Sequence, residues 1–394
     1  MKTLHVVYSL SPLTGGVGTS VRALCGNLSR LGISTEIWTT LRKYPLELEG
    51  EALESLRQAG VQVRFFPLHP WRGLGTRYAF SPALSSALSR EVSHFDLVHI
   101  HGIWLHPTAA AVRACRRASV PYLLAPCGSL DPFCLRTRWF LKLPYGFLIE
   151  RTALRSAAAV HFTSPLEQKT SWTFGIRGFS VVVPCALESL PSPLPPAGTF
   201  RGKYPSIGGK RVLLFLGRLH SKKRLDIVAE VFCRVAARRE DVHLVVAGPD
   251  EGARKPAERL LAKAGVLDRV IFTGLLDARN KWAAYRDSDL FLLPSEQENF
   301  SVAALEALAA GVPVLLSKQV ALSDWVRSAH AGSILPRDAA AWSEEICRLL
   351  DNPSLCQAMG EAGRRLAESE FSGPEVARKM LLAYEKILGG APGG

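Results

Sequence analysis

LHVVYSLSPLTGGVGTSVRALCGNLSRLGISTEIWT, residues 4–39, reads as a strand, a glycine loop, a helix and a second strand. Leu4 to Tyr8 is a short apolar run, and Ser9 to Gly18 is rich in turn formers. Val17, Val21, Leu24, Leu28 and Leu31 then recur at helical spacing. Gly32 stops that helix, and Ile33 to Thr39 supplies the next strand. Two strands joined through a helix lie parallel, so the stretch predicts a parallel α/β sheet. The same grammar recurs at Val212 to Leu216, a loop from Gly217, a helix from about Leu225 to Ala237, and a strand from His243 to Ala247. Two such starts in 394 residues predict two doubly wound domains.

Between them, residues 191–210 hold five Pro and four Gly, a composition that continues neither a helix nor a central strand. A linker is expected there. Past Ser317 strand signals fade, and helices are expected over Ala339 to Leu350, Ser354 to Glu370 and Pro374 to Leu388, before a disordered GGAPGG tail. With 47% hydrophobic and 21% charged residues, the chain is globular and far from the composition of a disordered one. Its 48 Lys and Arg against 35 Asp and Glu leave +13, which favours anionic partners such as nucleotides, nucleic acid or anionic lipid headgroups. Leu97 to Val112, a stretch without Lys, Arg, Asp or Glu, is too short and polar to span a bilayer. The first residues lack the apolar core of a signal peptide, and the eight Cys form no CxxC pair. A cytoplasmic protein with reduced, mostly buried thiols is expected.

The richest stretch for chemistry is PSEQENFSVAALEALAAGVPVL, residues 294–315, where Glu298 and Glu306 stand eight apart. A strand (Asp289 to Leu293) precedes it and another (Val314 to Ser317) follows. Asn299 to Ser301 would open a helix running to about Ala310, whose free N–H groups face outward at the carboxyl edge of the sheet, where a diphosphate fits. The plain alternative is a surface Glu306 and an N-capping Glu298. In FLGRLHSKKRLD, residues 215–226, Arg218 and Lys223 could neutralise a diphosphate, although such a basic loop is more often merely solvated. Gly15, Gly16 and Gly18 permit close approach of a substrate to the backbone, but their spacing is not GxGxxG, which weighs against a dinucleotide dehydrogenase. In FDLVHIHGIWLHP, residues 95–107, His99 and His101 share a strand face. A satisfied structural pair is the plain reading, and a metal site of His99, His101 and His106 the less favoured one. Asp287-Ser288-Asp289 is formally a DxD, but Asp289 opens a strand at the wrong end for the site, so no metal role is expected. Leu123 to Arg155 interleaves Arg136, Arg138, Lys142, Arg151 and Arg155 with Trp139, Phe140, Tyr145 and Phe147. That mixture suits an anionic lipid surface or an ordinary core with a charged outer face.

Residues 294–315 resemble the Glu-x7-Glu signature of glycosyltransferase family 4, retaining enzymes of GT-B fold, and the likeness extends through Ala307 to Pro313. Phe215 to Asp226 resembles the family's Gly-Arg-x4-Lys motif with Arg218 and Lys223 in place. Arg224 stands where the family commonly has Gly, so Lys222 and Lys223 could exchange roles. The glycine loop and Asp-x-x-His-x-His segment of the family are matched by Gly15-Gly16 and by the strand ending at His101. The resemblance implies an α/β GT-B fold of two Rossmann-like domains facing across a cleft. Residues 1–190, with a returning helix at 374–388, would bind the acceptor; residues 211–373 would bind a nucleotide sugar. It implies that Glu298 holds sugar hydroxyls, Glu306 the ribose, and Arg218 and Lys223 the diphosphate. Amides of Asn299, Phe300 and Ser301 add donors, Gly16 approaches the donor phosphate, and His101 positions the sugar. A nucleoside diphosphate sugar is the expected co-substrate, with no metal and no further cofactor. The expected acceptor is a hydroxyl of a glycan or lipid-linked oligosaccharide, as in polysaccharide, lipopolysaccharide or exopolysaccharide synthesis. A peripheral contact with the inner face of the cytoplasmic membrane is a further expectation; a nucleic-acid partner is not. An epimerase or hydrolase of the same fold, or a non-catalytic basic protein binding membrane or nucleic acid, are the alternatives.

Overall fold

The computed structural model describes residues 1–11, 15–41, 47–70, 78–131, 134–135, 149–171, 176, 179–188, 190–191 and 193–390. The chain forms two compact units, residues 1–188 with 372–394, and residues 189–371. The basic aromatic positions 136–148, including Trp139, Phe140, Tyr145 and Phe147, lie outside the described residues, as do tail residues 391–394.

The first unit contains seven parallel strands: β1 (Lys2–Val7), β2 (Ser34–Leu41), β3 (Gln62–Pro67), β4 (Leu97–His101), β5 (Tyr122–Ala125), β6 (Ala159–Phe162) and β7 (Ser180–Val182). Their order is β3-β2-β1-β4-β5-β6-β7. Alternation along each strand sends side chains to two covered faces. Val98, Ile100, Leu124 and Val160 pack under helices 82–91 and 106–118. On the other face Leu97, Leu123 and Ala159 meet Ala23, Leu24 and Leu28 of helix 16–30 and Val376, Met380 and Tyr384 of helix 373–388. Those two helices touch closely at Gly373, where a Cβ would lie 2.2 Å from Asn27 Nδ2.

The second unit has six parallel strands: β8 (Arg211–Leu216), β9 (Val242–Ala247), β10 (Val270–Gly274), β11 (Leu290–Leu293), β12 (Val314–Ser317) and β13 (Gly332–Leu335), in the order β10-β9-β8-β11-β12-β13. In both sheets the direction of winding reverses next to the first strand, between β1 and β4 and between β8 and β11. Loops leaving the carboxyl ends of those strands part there, which is where α/β sheets hold ligands.

Two expectations need correction. A strand does occur past Ser317: β13 is four half-buried residues, too short for alternation to show, and it can lie against β12 because Gly332 has no Cβ, which would sit 2.0 Å from Val314 O. The Pro- and Gly-rich stretch 191–210 is not simply a linker but includes a helix, Thr199–Lys203, with Phe200 buried in the second unit. Asp287 explains its placement, since its carboxylate accepts from the N–H groups of Gly198, Phe200 and Arg201 at 2.7, 2.8 and 3.0 Å. Asp289 accepts from Val212 N at 2.7 Å and Arg211 Nη1 at 2.8 Å. Both carboxylates of the DxD therefore brace the amino-terminal side of β8 and β11.

Candidate active site

Strand β8 ends at Leu216 and enters Gly217 and Arg218. The turn there is packed backbone to backbone: a Cβ on Gly248, at the end of β9, would lie 1.9 Å from Gly217 O. Arg218 Nη1 reaches both carboxylate oxygens of Glu251, at 3.0 and 3.1 Å, in a pair that is 44% and 35% exposed. A 3₁₀ turn, Ser221–Lys223, follows, with Arg224 at φ +54° before helix 225–236. Glycine adopts this left-handed geometry freely; here the strain of about 1 kcal/mol is borne by arginine, whose guanidinium pairs with Asp226.

The two lysines part company in space. Lys223 Nζ is hydrogen-bonded to Glu298 Oε2, whereas Lys222 Nζ reaches Gln297 Oε1 at 3.2 Å. The loops leaving β8 and β11 are further joined by Glu296 N donating to Lys222 O at 2.8 Å. Glu298 itself bridges to Val320, through N–H to Gln319 O at 3.2 Å and from Ala321 N at 3.1 Å, so its backbone is held on two sides. The helix expected from Asn299 starts at Val302 and runs to Ala309, capped by Ser301 at φ +74°, whose Oγ accepts from Ala304 N at 3.2 Å. Phe300 is 2% exposed and packs on Trp325 and Phe371, so its side chain belongs to the core and only its backbone can face a ligand.

Glu306 lies in the middle of that helix and is buried. One oxygen takes Lys281 Nζ at 2.5 Å and the other the Tyr285 hydroxyl at 2.9 Å. Burial, and next the Glu306 charge, push the Tyr285 phenol well above its ordinary range. Lys281 and Tyr285 sit four apart on helix 278–286, hence on one face. Nothing in the linear sequence pairs that face with Glu306, and neither residue was among the candidates.

Gly16 and His101 belong to the first unit. Gly16 is the first residue of helix 16–30, after Gly15 at φ +103°. His101 is the last residue of β4, and His99 shares its face as the alternation predicts; their ring centroids are 4.0 Å apart. Three residues the pattern did not offer surround them, His5 from β1, His161 from β6 and Tyr384 from helix 373–388. Burial holds both His99 and His101 well below the usual histidine range. His106 is elsewhere, its Nδ1 accepting from Ser81 N at 3.2 Å and its Nε2 3.1 Å from Ser85 Oγ, so the triad His99, His101, His106 is not assembled. Nitrogens of His5, His99 and His101 do lie within 4.8 Å of one another, but both ring nitrogens of His99 are taken by protein partners.

Two buried carboxylates shape the loops after β4 and β5. Glu150 Oε1 accepts from Trp104 N at 2.8 Å, with Trp104 at φ +71°. Glu167 accepts from Gly128 N at 2.5 Å and from Thr163 N at 2.7 Å. Burial drives Glu150 up to about 7.

Residues 198–366 match the family described as Glycosyl transferases group 1, and residues 15–186 match the Glycosyl transferase 4-like domain. The chain is 29% identical over 309 residues to the 2-deoxystreptamine glucosyltransferase of Streptomyces kanamyceticus, covering 75% of this chain and 78% of that one. It is 28% identical over 394 residues to the D-inositol 3-phosphate glycosyltransferase of Xylanimonas cellulosilytica, covering 94% and 91%. Among solved structures, Anabaena HepE in complex with UDP and glucose superimposes with a TM-score of 0.77 at 16% identity, over 98% of this chain and 100% of that one.

Proposed function

Because the chain belongs to the group 1, family-4-like glycosyltransferases and has their GT-B fold, we propose that it moves a sugar from a nucleoside diphosphate sugar to a hydroxyl of a glycan or lipid-linked oligosaccharide, with retention at the anomeric carbon. The observation that carries this reading is the meeting of Lys223 with Glu298 at the β8/β11 switch point, beside the amino end of the helix that holds Glu306. A diphosphate at that edge gains the helix N–H groups and two cations. The exposed Arg218 and Glu251 pair is worth at most ~1 kcal/mol, so Arg218 is readily recruited by an incoming phosphate. Lys223, shielded and tied to Glu298, stays in place and couples the phosphate to the sugar carboxylate. Glu306, fixed by Lys281 and Tyr285, presents a preset acceptor to the ribose hydroxyls.

Charge grows on the diphosphate as the glycosidic bond breaks, and Arg218, Lys223 and the helix end stabilise it without a resident metal in this reading. His101 orients the sugar, and the acceptor hydroxyl attacks from the face the diphosphate leaves. A uridine diphosphate hexose is the first donor to try, since the named relative is a glucosyltransferase and the named neighbour holds UDP and glucose. No helix among the described residues is long and apolar enough to cross a membrane; a lipid-linked acceptor would be met by peripheral contact at the inner face of the cytoplasmic membrane.

The test is calorimetric titration with UDP, GDP and ADP and their sugars, with and without EDTA, repeated on Glu306→Ala and Arg218→Ala. Binding of one nucleotide that survives EDTA and falls at least tenfold in both variants is the expected result. Equal binding by parent and variants would remove the donor site from this edge.

A further inference from the structure

Five buried side chains from four separate segments, His101 among them, are linked by hydrogen bonds that, with one unpartnered ring nitrogen, assign the ring protons. His161 Nε2 lies 2.8 Å from the carbonyl of Val183, which can only accept, so that nitrogen carries the proton. His161 is neutral, its protonation suppressed to about 4 by burial, and its Nδ1 is therefore an acceptor. His99 Nε2, 3.2 Å away, must donate to it. His99 is then an acceptor at Nδ1, and the Tyr384 hydroxyl donates to it at 2.7 Å. The second branch joins His5 Nδ1 to His101 Nε2 at 3.1 Å. His5 Nε2 is buried without a partner. Buried orphan N–H groups are rarer than orphan lone pairs, so His5 carries its proton on Nδ1 and donates it. His101 thus accepts at Nε2 and keeps its proton on Nδ1. The His101 ring lies edge to edge with His5, centroids 5.3 Å apart and planes 13° from parallel, and its centroid lies 4.0 Å from that of the His99 ring.

We infer that Tyr384 is a positioning residue for His101: its hydroxyl, brought from helix 373–388, fixes the orientation of His99, whose tautomer His161 sets and against whose ring His101 is set. The inference rests on the sugar-positioning role proposed above for His101. It extends the working site to a residue of another segment of the first unit that touches no substrate. A hydroxyl in that place is not needed for packing, since Tyr384 already has an apolar bed in Leu24, Leu28, Leu97 and Met380.

The experiment uses the full chain labelled with ¹⁵N-histidine, alongside Tyr384→Phe, which keeps the ring and deletes the donor. In the parent, ring ¹⁵N shifts should place the protons on Nε2 of His99 and His161 and on Nδ1 of His5 and His101. In Tyr384→Phe, melting within a few degrees of the parent should accompany a shift of the His99 Nδ1 resonance to that of an unbonded nitrogen, and movement of the His101 signals. Turnover of the donor that binds, whether by transfer or by slow hydrolysis of UDP-glucose, should fall about tenfold in kcat with KM within twofold. A proton on His99 Nδ1 in the parent, or His101 signals and kcat that ignore the loss of the hydroxyl, overturns the inference. His101→Ala separates the two claims. If its turnover matches the parent while Tyr384→Phe still moves the His101 signals, the role assigned to His101 fails and the hydrogen-bond relay stands.

Discussion

Gly248→Ala measures how far donor binding depends on backbone fit beneath Arg218. An alanine Cβ would stand 1.9 Å from Gly217 O and 2.7 Å from Gly217 C. The Gly217 carbonyl must then retreat by roughly 1.5 Å to reach an ordinary contact distance. Gly217 N also donates to Ala247 O at 2.9 Å, so the retreat strains a bond at the very end of β8. Gly248 has φ +136°, and the left-handed backbone adds about 1–3 kcal/mol for any L side chain. Gly274→Ala serves as the control, because Gly274 has φ +69° but nothing within 4 Å of the added Cβ, leaving strain alone at about 1–2 kcal/mol. The clash brings the expected loss in Gly248→Ala to about 3–5 kcal/mol. At roughly 2–4 °C per kcal/mol for a domain of this size, the second unit should melt about 4–12 °C below the control. Displacing Arg218 and the turn to Lys223 by that distance should also weaken nucleotide binding by about ten- to a hundredfold. Scanning calorimetry and titration with UDP read both effects. If Gly248→Ala melts with the control and binds like the parent, the Gly217 turn yields freely and rigid backbone placement is not what holds the phosphate residues.

Other perturbations reach the scaffold of each unit. Asp287→Ala leaves the N–H groups of Gly198, Phe200 and Arg201 without their acceptor and should cost about 2–4 kcal/mol in urea unfolding of the second unit; a loss below about 1 kcal/mol would mean that water replaces the carboxylate. Glu150, raised to about 7 from an ordinary 4.5, binds its proton more tightly folded than unfolded, so its penalty is absent below pH 4.5 and complete above about 7. Glu150→Gln should therefore stabilise at pH 8, by on the order of 3 kcal/mol, and do nothing at pH 4.5; equal melting shifts at both pH values would contradict this. His5 and His161, held by burial at about 3 and about 4, have the opposite sign. Their contribution is whole above 6.5 and is lost as pH falls toward 4 and 3, at about 1.4 kcal/mol per pH unit for each ring. Urea midpoints of Glu150→Gln at pH 7, 6 and 5 isolate the histidines, and a flat profile would count against the buried cluster.

Residues 4–39 and 212–247 announced parallel α/β units because helix and strand periods differ and glycines mark the turns between them. Helices 339–350 and 373–388 were legible for the same reason. β13 escaped because Gly332–Leu335 is short and its necessary glycine looks like a breaker until Val314 is seen beside it. At the site, single-strand alternation placed His99 with His101, but their partners His5, His161 and Tyr384 come from strands and a helix whose adjacency only tertiary structure supplies. Lys281 reads as an ordinary helix lysine until Glu306 is found beneath it. Glu150 and Asp287 illustrate the same limit, since a carboxylate that serves distant backbone N–H groups has no spacing to reveal it.

The first unit is interrupted in sequence by all 183 residues of the second, between Glu188 and Ser372. Val376, Met380 and Tyr384 fill a groove bounded by Leu24, Leu28, Leu97 and Leu123, all of which are synthesised far earlier. On the ribosome, the nascent first sheet must wait with that apolar face open, while residues 189–371 can complete their own core as one continuous segment. Folding order should thus run against chain order, with the second unit finished first and the first closed by docking of helix 373–388. The wait amounts to ten seconds or more at about 5–20 residues per second, and makes the half-built first unit the natural client of a chaperone.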